Sequence, residues 1–147
     1  MIPAFDPTTG NLPSGVHEAT WEEFVAIYGF TPHRLVLLTG LKTALDALRA
    51  AGCRRAYVNG SFVTSKEQPG DFDGCWEVNG VDLVNLDPVL MTFTSRRAAQ
   101  KQKYGGEFFP ADAMANAAGT NFLLFFQRDK DTGQPKGIVA IDLERLP

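Results

Sequence analysis

Residues 57–78 read YVNGSFVTSKEQPGDFDGCWEV, and the rest of the chain is best understood outward from them. Ala56 to Asn59 has strand character and runs straight into Gly60-Ser61. Nine residues later, Asp71-Phe72-Asp73 opens a second strand that extends to about Val78. Side chains at i and i+2 of a strand share a face, so Asp71 and Asp73 present two carboxylates side by side while Phe72 points into the core. Carboxylates that close raise one another's pKa unless a cation sits between them. A hard divalent ion such as Mg²⁺ (or Mn²⁺) is held through a few carboxylates plus substrate phosphates. The Gly-Ser turn complements such a site, because glycine lets the backbone approach a phosphate whose oxygens take exposed N–H groups and a hydroxyl. The bland alternative is a turn followed by two solvated aspartates.

Upstream, residues 1–16 are rich in Pro, Gly, Thr and Ser and read as an irregular lead-in. Thr20 with Glu23 forms a capping box for a helix over 21–28, closed by Gly29. Thr31-Pro32 starts a second helix to about Ala51, supported by Leu35, Leu38, Leu41, Leu45 and Leu48. Downstream, Asp87-Pro88 and Ser95 read as helix starts, the latter leading into Arg96 to Lys103. Gly106 to Phe109 is a short strand, Thr120 caps a run through Phe126, Asp131-Thr132-Gly133 is a turn, and 137–143 is a final strand. These elements predict an α+β fold, a small mixed β-sheet flanked by helices, in a single domain over 1–147.

The chain has 14 basic and 17 acidic side chains, a net charge of −3, which disfavours a protein that coats nucleic acid through a basic surface. The charge is unevenly spread. Lys66 to Asp87 holds six acids and one base, whereas Phe93 to Gly105 holds Arg96, Arg97, Lys101 and Lys103 and no acid. That basic helix is either a phosphate-binding surface or a solvated face. Cys53 and Cys75 fit neither a disulfide framework nor a metal spacing, so both are expected reduced and partly buried. His17 and His33 stand apart from other ligand-type residues and read as capping or surface groups, and the Phe-rich runs 108–109 and 122–126 read as core. The N-terminus shows no signal-peptide pattern and no apolar run is long enough to span a bilayer, so a cytoplasmic protein without membrane partners is expected.

A Gly-Ser turn followed by Asp-x-Asp, here Gly60-Ser61 and Asp71-Phe72-Asp73, resembles the signature of the polymerase-beta-like nucleotidyltransferase superfamily, especially its minimal branch with toxin and antitoxin members. The segments LPSGVHEATWEEF, GSFVTSKEQPGDFD, KYGGEFFPA, FFQRD and PKGIVAIDL are also similar to a family of small bacterial nucleotidyltransferase-like proteins. The resemblance implies transfer of a nucleotidyl group from a Mg²⁺-bound nucleoside triphosphate to a hydroxyl of RNA, such as tRNA, or of a partner protein, in a toxin–antitoxin or defence setting. Gly60 and Ser61 would bind the triphosphate, with Lys66 either contacting it or lying exposed, and Asp71 and Asp73 would bind metal. The third carboxylate of the superfamily falls at Glu107, at Asp82 or at neither, Glu107 having the better element order. A glutamate there, and Gly74-Cys75 after the second aspartate, depart from the common pattern. They leave open a catalytically degenerate fold that acts as a binding or regulatory module.

Overall fold

A computed structural model describes residues 1–147. Five strands form one mixed sheet: β1 (Gly15–Ala19), β2 (Arg55–Asn59), β3 (Phe72–Trp76), β4 (Gly106–Pro110) and β5 (Gly137–Asp142), in spatial order β1-β5-β2-β3-β4. The outer pairs β1·β5 and β3·β4 are parallel and the inner pairs β5·β2 and β2·β3 antiparallel. Four helices accompany the sheet: α1 (Trp21–Tyr28), α2 (Pro32–Ala50), α3 (Thr94–Tyr104) and the single turn α4 (Phe122–Phe125). The α+β expectation is met. No helix is long and apolar enough to cross a membrane.

Strand alternation divides the sheet into two unequal faces. Ala56, Val58, Phe72, Trp76, Phe108, Val139 and Ile141 point to one face, where Phe24 and Tyr28 of α1 and Leu41, Leu45 and Leu48 of α2 complete a 27-residue core cluster. Burying each such side chain contributes roughly 1.5–3 kcal/mol. Gly74 belongs to this face. A Cβ there would stand 2.5 Å from the Phe108 ring and 2.3 Å from the Tyr57 carbonyl, so the residue that looks out of place in the sequence makes room for Phe108. The opposite face is thinly covered. Only Tyr57, Cys75, Ala111, Phe126, Ile138 and Ala140 form a buried cluster there, under α4. Both cysteines are buried and free.

The capped starts of α1 and α2 are as read, with Thr20 accepting from the Glu23 N–H and Thr31 from the Arg34 N–H. Other boundaries are corrected. The lead-in 1–16 contains the start of β1, a five-residue edge strand whose partners are more than a hundred residues away, and its Ile2 and Leu12 are buried in the core. β3 stops at Trp76, Asp87-Pro88 opens only a 3-10 turn, and α4 is capped by Asn121 instead of Thr120. Ser95 is no cap: Ser95, Arg96 and Arg97 make a left-handed turn with φ of 52°, 57° and 60° before α3 continues right-handed.

The loop that follows β2 is held by Arg34, a residue without distinction in the sequence. Its fully buried guanidinium donates to the carbonyls of Phe62 (2.7 Å), Thr64 (2.8 Å), Lys66 (2.6 and 2.9 Å), Tyr28 (3.3 Å) and Ser61 (3.5 Å), and lies over the Phe30 and Phe62 rings. His33 adds a hydrogen bond from Nε2 to the Pro69 carbonyl (2.5 Å). Replacing Arg34 with Met strands these carbonyls, and each buried unpaired group costs about 1–3 kcal/mol. Arg34→Met is therefore expected to lose about 3 kcal/mol or more in a denaturant titration, with Arg34→Lys recovering part of it. Amide exchange over residues 60–67 should accelerate; an unchanged exchange pattern would show that the loop is held by something else.

Candidate functional site

The register sets the site. Asn59 at the end of β2 stands opposite Asp73 of β3, and Asp73 stands opposite Glu107 of β4. The three therefore form a row across the sheet on its thinly covered face, with Asp71 at the mouth of β3. Immediately after Asn59 the chain turns at Gly60 with φ +82° into a 3-10 turn over Gly60–Val63. A Cβ at residue 60 would lie 2.6 Å from Asp73 Oδ2, so the Asp73 carboxylate packs against bare backbone and only glycine fits. The Gly-Ser turn and the Asp-x-Asp strand, separate in the sequence, are in contact.

Together they line a cleft of about 840 Å³. Asp71, Asp73, Glu107 and Asp129 bring negative charge to it, while Lys66, Arg128, Lys130 and Lys136 bring positive charge. Phe125, expected in the core, is 41% exposed and forms part of the wall. Phe109 and Phe122 stack 4.1 Å apart behind it. In a smaller hollow of about 450 Å³, bordered by Glu18, Arg55 and Glu77 among others, Arg55 sits 2.7 Å from Glu18 and the Tyr57 hydroxyl donates to Glu77.

Burial first, then the charges of Asp71 and Glu107 and a hydrogen bond with Glu107, push the Asp73 carboxyl up to about 7. Asp71 is raised by burial and by Glu107, against the pull of Lys101 and Lys130. Lys136 shifts the other way, its ammonium disfavoured by burial and partly restored by Asp129 and Asp73. The cleft thus holds carboxylates with incompletely compensated charge beside a desolvated lysine. Asn59 adds a second anomaly. It is 5% exposed, and its Oδ1 is buried with no hydrogen-bond partner.

Glu107 is in the row but not free. Its Oε2 accepts from Arg97 Nε at 2.7 Å and lies 3.8 Å from Lys101 Nζ. Lys103 and the Tyr104 hydroxyl bind Asp87, so most of the basic helix is spent on acids. Asp82 lies elsewhere: its carboxylate accepts from Val84 N and Asn85 Nδ2 within its own turn. Gly60, Ser61, Lys66, Asp71, Asp73 and Glu107 all line the one cleft. No three His, Cys, Asp or Glu side chains stand in a metal-ligating arrangement. The donors present are hard oxygens, two of them on carboxylates with raised pKa and one on an orphaned amide. That set fits Mg²⁺ held through one or two carboxylates and substrate phosphates, not a closed protein cage.

A scan of family models matches residues 3–142 to DUF6932, a family of unknown function. The chain belongs to this family. No curated protein and no solved structure matches it. For a DUF6932 member, then, the cleft's own chemistry has to carry the functional reading.

Sequence reasoning did not single out Asn59, Arg128, Lys130 or Lys136. Lys130 and Lys136 flank the Asp131-Thr132-Gly133 turn, and it is the turn that brings them over the carboxylates. Asn59 directly precedes the Gly-Ser turn, which was the one available signal.

A raised Asp73 pKa has a definite sign for stability. Below about pH 4 the carboxyl is protonated both folded and unfolded and contributes no pH dependence. Between about 4 and 7 the unfolded chain ionises while the native carboxyl stays protonated, so the native state loses ground, and above 7 the loss levels off. Asp73→Asn is expected to match wild type in chemical denaturation near pH 3.5 and to exceed it at pH 8 by on the order of 2 kcal/mol. Equal stability at both pH values would mean that Asp73 is not desolvated.

Proposed function

We propose that this DUF6932 protein is a nucleotidyltransferase that moves a nucleotidyl group from a Mg²⁺-bound nucleoside triphosphate to a hydroxyl of RNA, such as tRNA, or of a partner protein. The observation that carries the reading is the contact of Gly60 with Asp73. It joins the Gly-Ser turn and a carboxylate pair in one cleft that also holds Lys66, Arg128, Lys130 and Lys136. The resemblance of these residues to the nucleotidyltransferase signature points the same way. A cytoplasmic setting, with a toxin or antitoxin as partner, belongs to this proposal through that resemblance.

In this reading Gly60 and Ser61 meet the triphosphate with backbone N–H groups and a hydroxyl, and Lys66, Arg128 and Lys130 neutralise its charge. Asp71 and Asp73 hold the divalent ion, which when bound supplies charge neutralisation and orients the phosphates. The acceptor oxygen forms a bond to the α-phosphorus, and the bond from that phosphorus to the bridging oxygen breaks. Pyrophosphate leaves with the electron pair, and Glu107, oriented by Arg97, accepts the hydroxyl proton. Lys136 stands near Asp73 to offset charge as the bond breaks. The rate advantage comes from positioning and electrostatics without a covalent protein intermediate.

A second reading is favoured by two observations: the ion-paired state of Glu107 and the absence of a three-acid ligand group suit a degenerate fold that binds nucleotide or a partner without transferring it.

The two separate in one experiment, incubation with each labelled nucleoside triphosphate, Mg²⁺ or Mn²⁺, total tRNA and cell protein. Label transfer that falls at least about 100-fold in Asp71→Ala and Asp73→Ala is the outcome expected of the enzyme. Lys136→Met is expected to lower kcat about 10-fold with little change in the KM for the triphosphate. Metal-dependent nucleotide binding without transfer supports the binding module, and neither binding nor transfer with any triphosphate ends the enzyme reading and leaves only a module that binds a partner.

A further inference from the structure

Asn59 is the strongest unexplained group in the molecule. It is 95% buried, its Oδ1 has no donor, and it borders the cleft directly beside Gly60 and opposite Asp73. Folded chains pair nearly all buried side-chain oxygens, so an orphan on a residue that borders a cleft marks a place where a ligand supplies the partner. What surrounds it narrows the kind of partner. Asp73 lies across the strand pair and Asp71 at its mouth, and the amide oxygen joins them as a third acceptor. The common complement of one amide oxygen and two carboxylates is a cation.

The other candidate for a third oxygen is Glu107, and its position argues against that use. Its Oε2 is committed to Arg97 at 2.7 Å with Lys101 at 3.8 Å, so that oxygen could ligate only by displacing a guanidinium, and the charge of the carboxylate is already paired. Asn59 has no such competitor. An amide oxygen also adds a ligand without adding charge, so two carboxylates and a dication sum to neutral and leave the triphosphate's charge for the four cations of the rim.

We infer that Asn59, and not Glu107, supplies the third protein oxygen to a divalent cation held at Asp71 and Asp73. This rests on the metal-dependent reading above and specifies it: within the row across the sheet, Asn59 and Asp73 take the cation, while Glu107 is engaged by Arg97 and Lys101 of α3.

The test is a titration of the full chain with Mn²⁺ at pH 8, reading free Mn²⁺ by electron paramagnetic resonance, with no nucleotide and no turnover. Wild type binds and Asp73→Asn loses binding. Asn59→Leu weakens the Kd about 10–100-fold, while Glu107→Gln stays within about threefold of wild type. Asn59→Asp, which keeps the shape and adds a charge, binds at least as tightly as wild type. It decides the matter if Asn59→Leu does not fold, because a weakened Kd in Asn59→Asp would overturn the proposal. If wild type binds and Asp73→Asn does not, but Asn59→Leu is unchanged or Glu107→Gln is the variant that fails, the assignment of Asn59 falls and the metal-dependent reading stands. If wild type takes up no Mn²⁺, with or without a nucleoside triphosphate present, both fall together.

Discussion

The buried guanidinium of Arg34 is the constraint on which the site depends. A charge removed from water is costly unless its donors are filled, and here backbone carbonyls of the 61–66 loop fill them together with Tyr28. Burial lowers its pKa from the ordinary arginine value, but no acid is needed to keep it in place. The gain is geometric. A loop that would otherwise sample many paths between β2 and β3 is fixed to the start of α2, and with it the turn that cradles the Asp73 carboxylate. Helix, loop and strand are thereby locked through one side chain.

The electrostatics of the cleft follow from how the layers are distributed. Helices α1, α2 and α3 cover one face of the sheet and leave the other to a small cluster around Phe126. Carboxylates on the thin side are desolvated enough to have raised pKa values yet remain open to a ligand. The basic helix contributes less than its charge promises, because Arg97, Lys101 and Lys103 are spent on Glu107 and Asp87. Of the four cations left around the cleft, Arg128, Lys130 and Lys136 come from the polar segment before β5 and Lys66 from the loop after β2.

Much of this was legible in the sequence, for physical reasons that differ by element. The caps at Thr20 and Thr31, the leucine spacing of α2 and the alternation around Phe72 are local signals, and local physics decides them. β1 was missed because a five-residue edge strand in a Pro- and Gly-rich context carries little periodicity and is stabilised by β5, far along the chain. The left-handed turn at Ser95–Arg97 contradicts the preferences of its own residues and has no sequence mark. At the site, the spacing of Gly60, Ser61, Asp71 and Asp73 was enough to bring them together on paper. The ion pair that engages Glu107 and the orphaned oxygen of Asn59 are tertiary facts, set by which strand lies beside which.

The alternation of β3 ties correct folding to correct chemistry. Phe72 and Gly74 face the thick layer, while Asp73 and Cys75 face the thin one. A slip of one residue in pairing would drive a carboxylate into the packed core and turn a phenylalanine out into the cleft. It would also set a side chain against Phe108 where only glycine fits. Such a chain has no well-packed state in which the site is merely misaligned, so the core that selects the register of β3 also selects the geometry of the cleft.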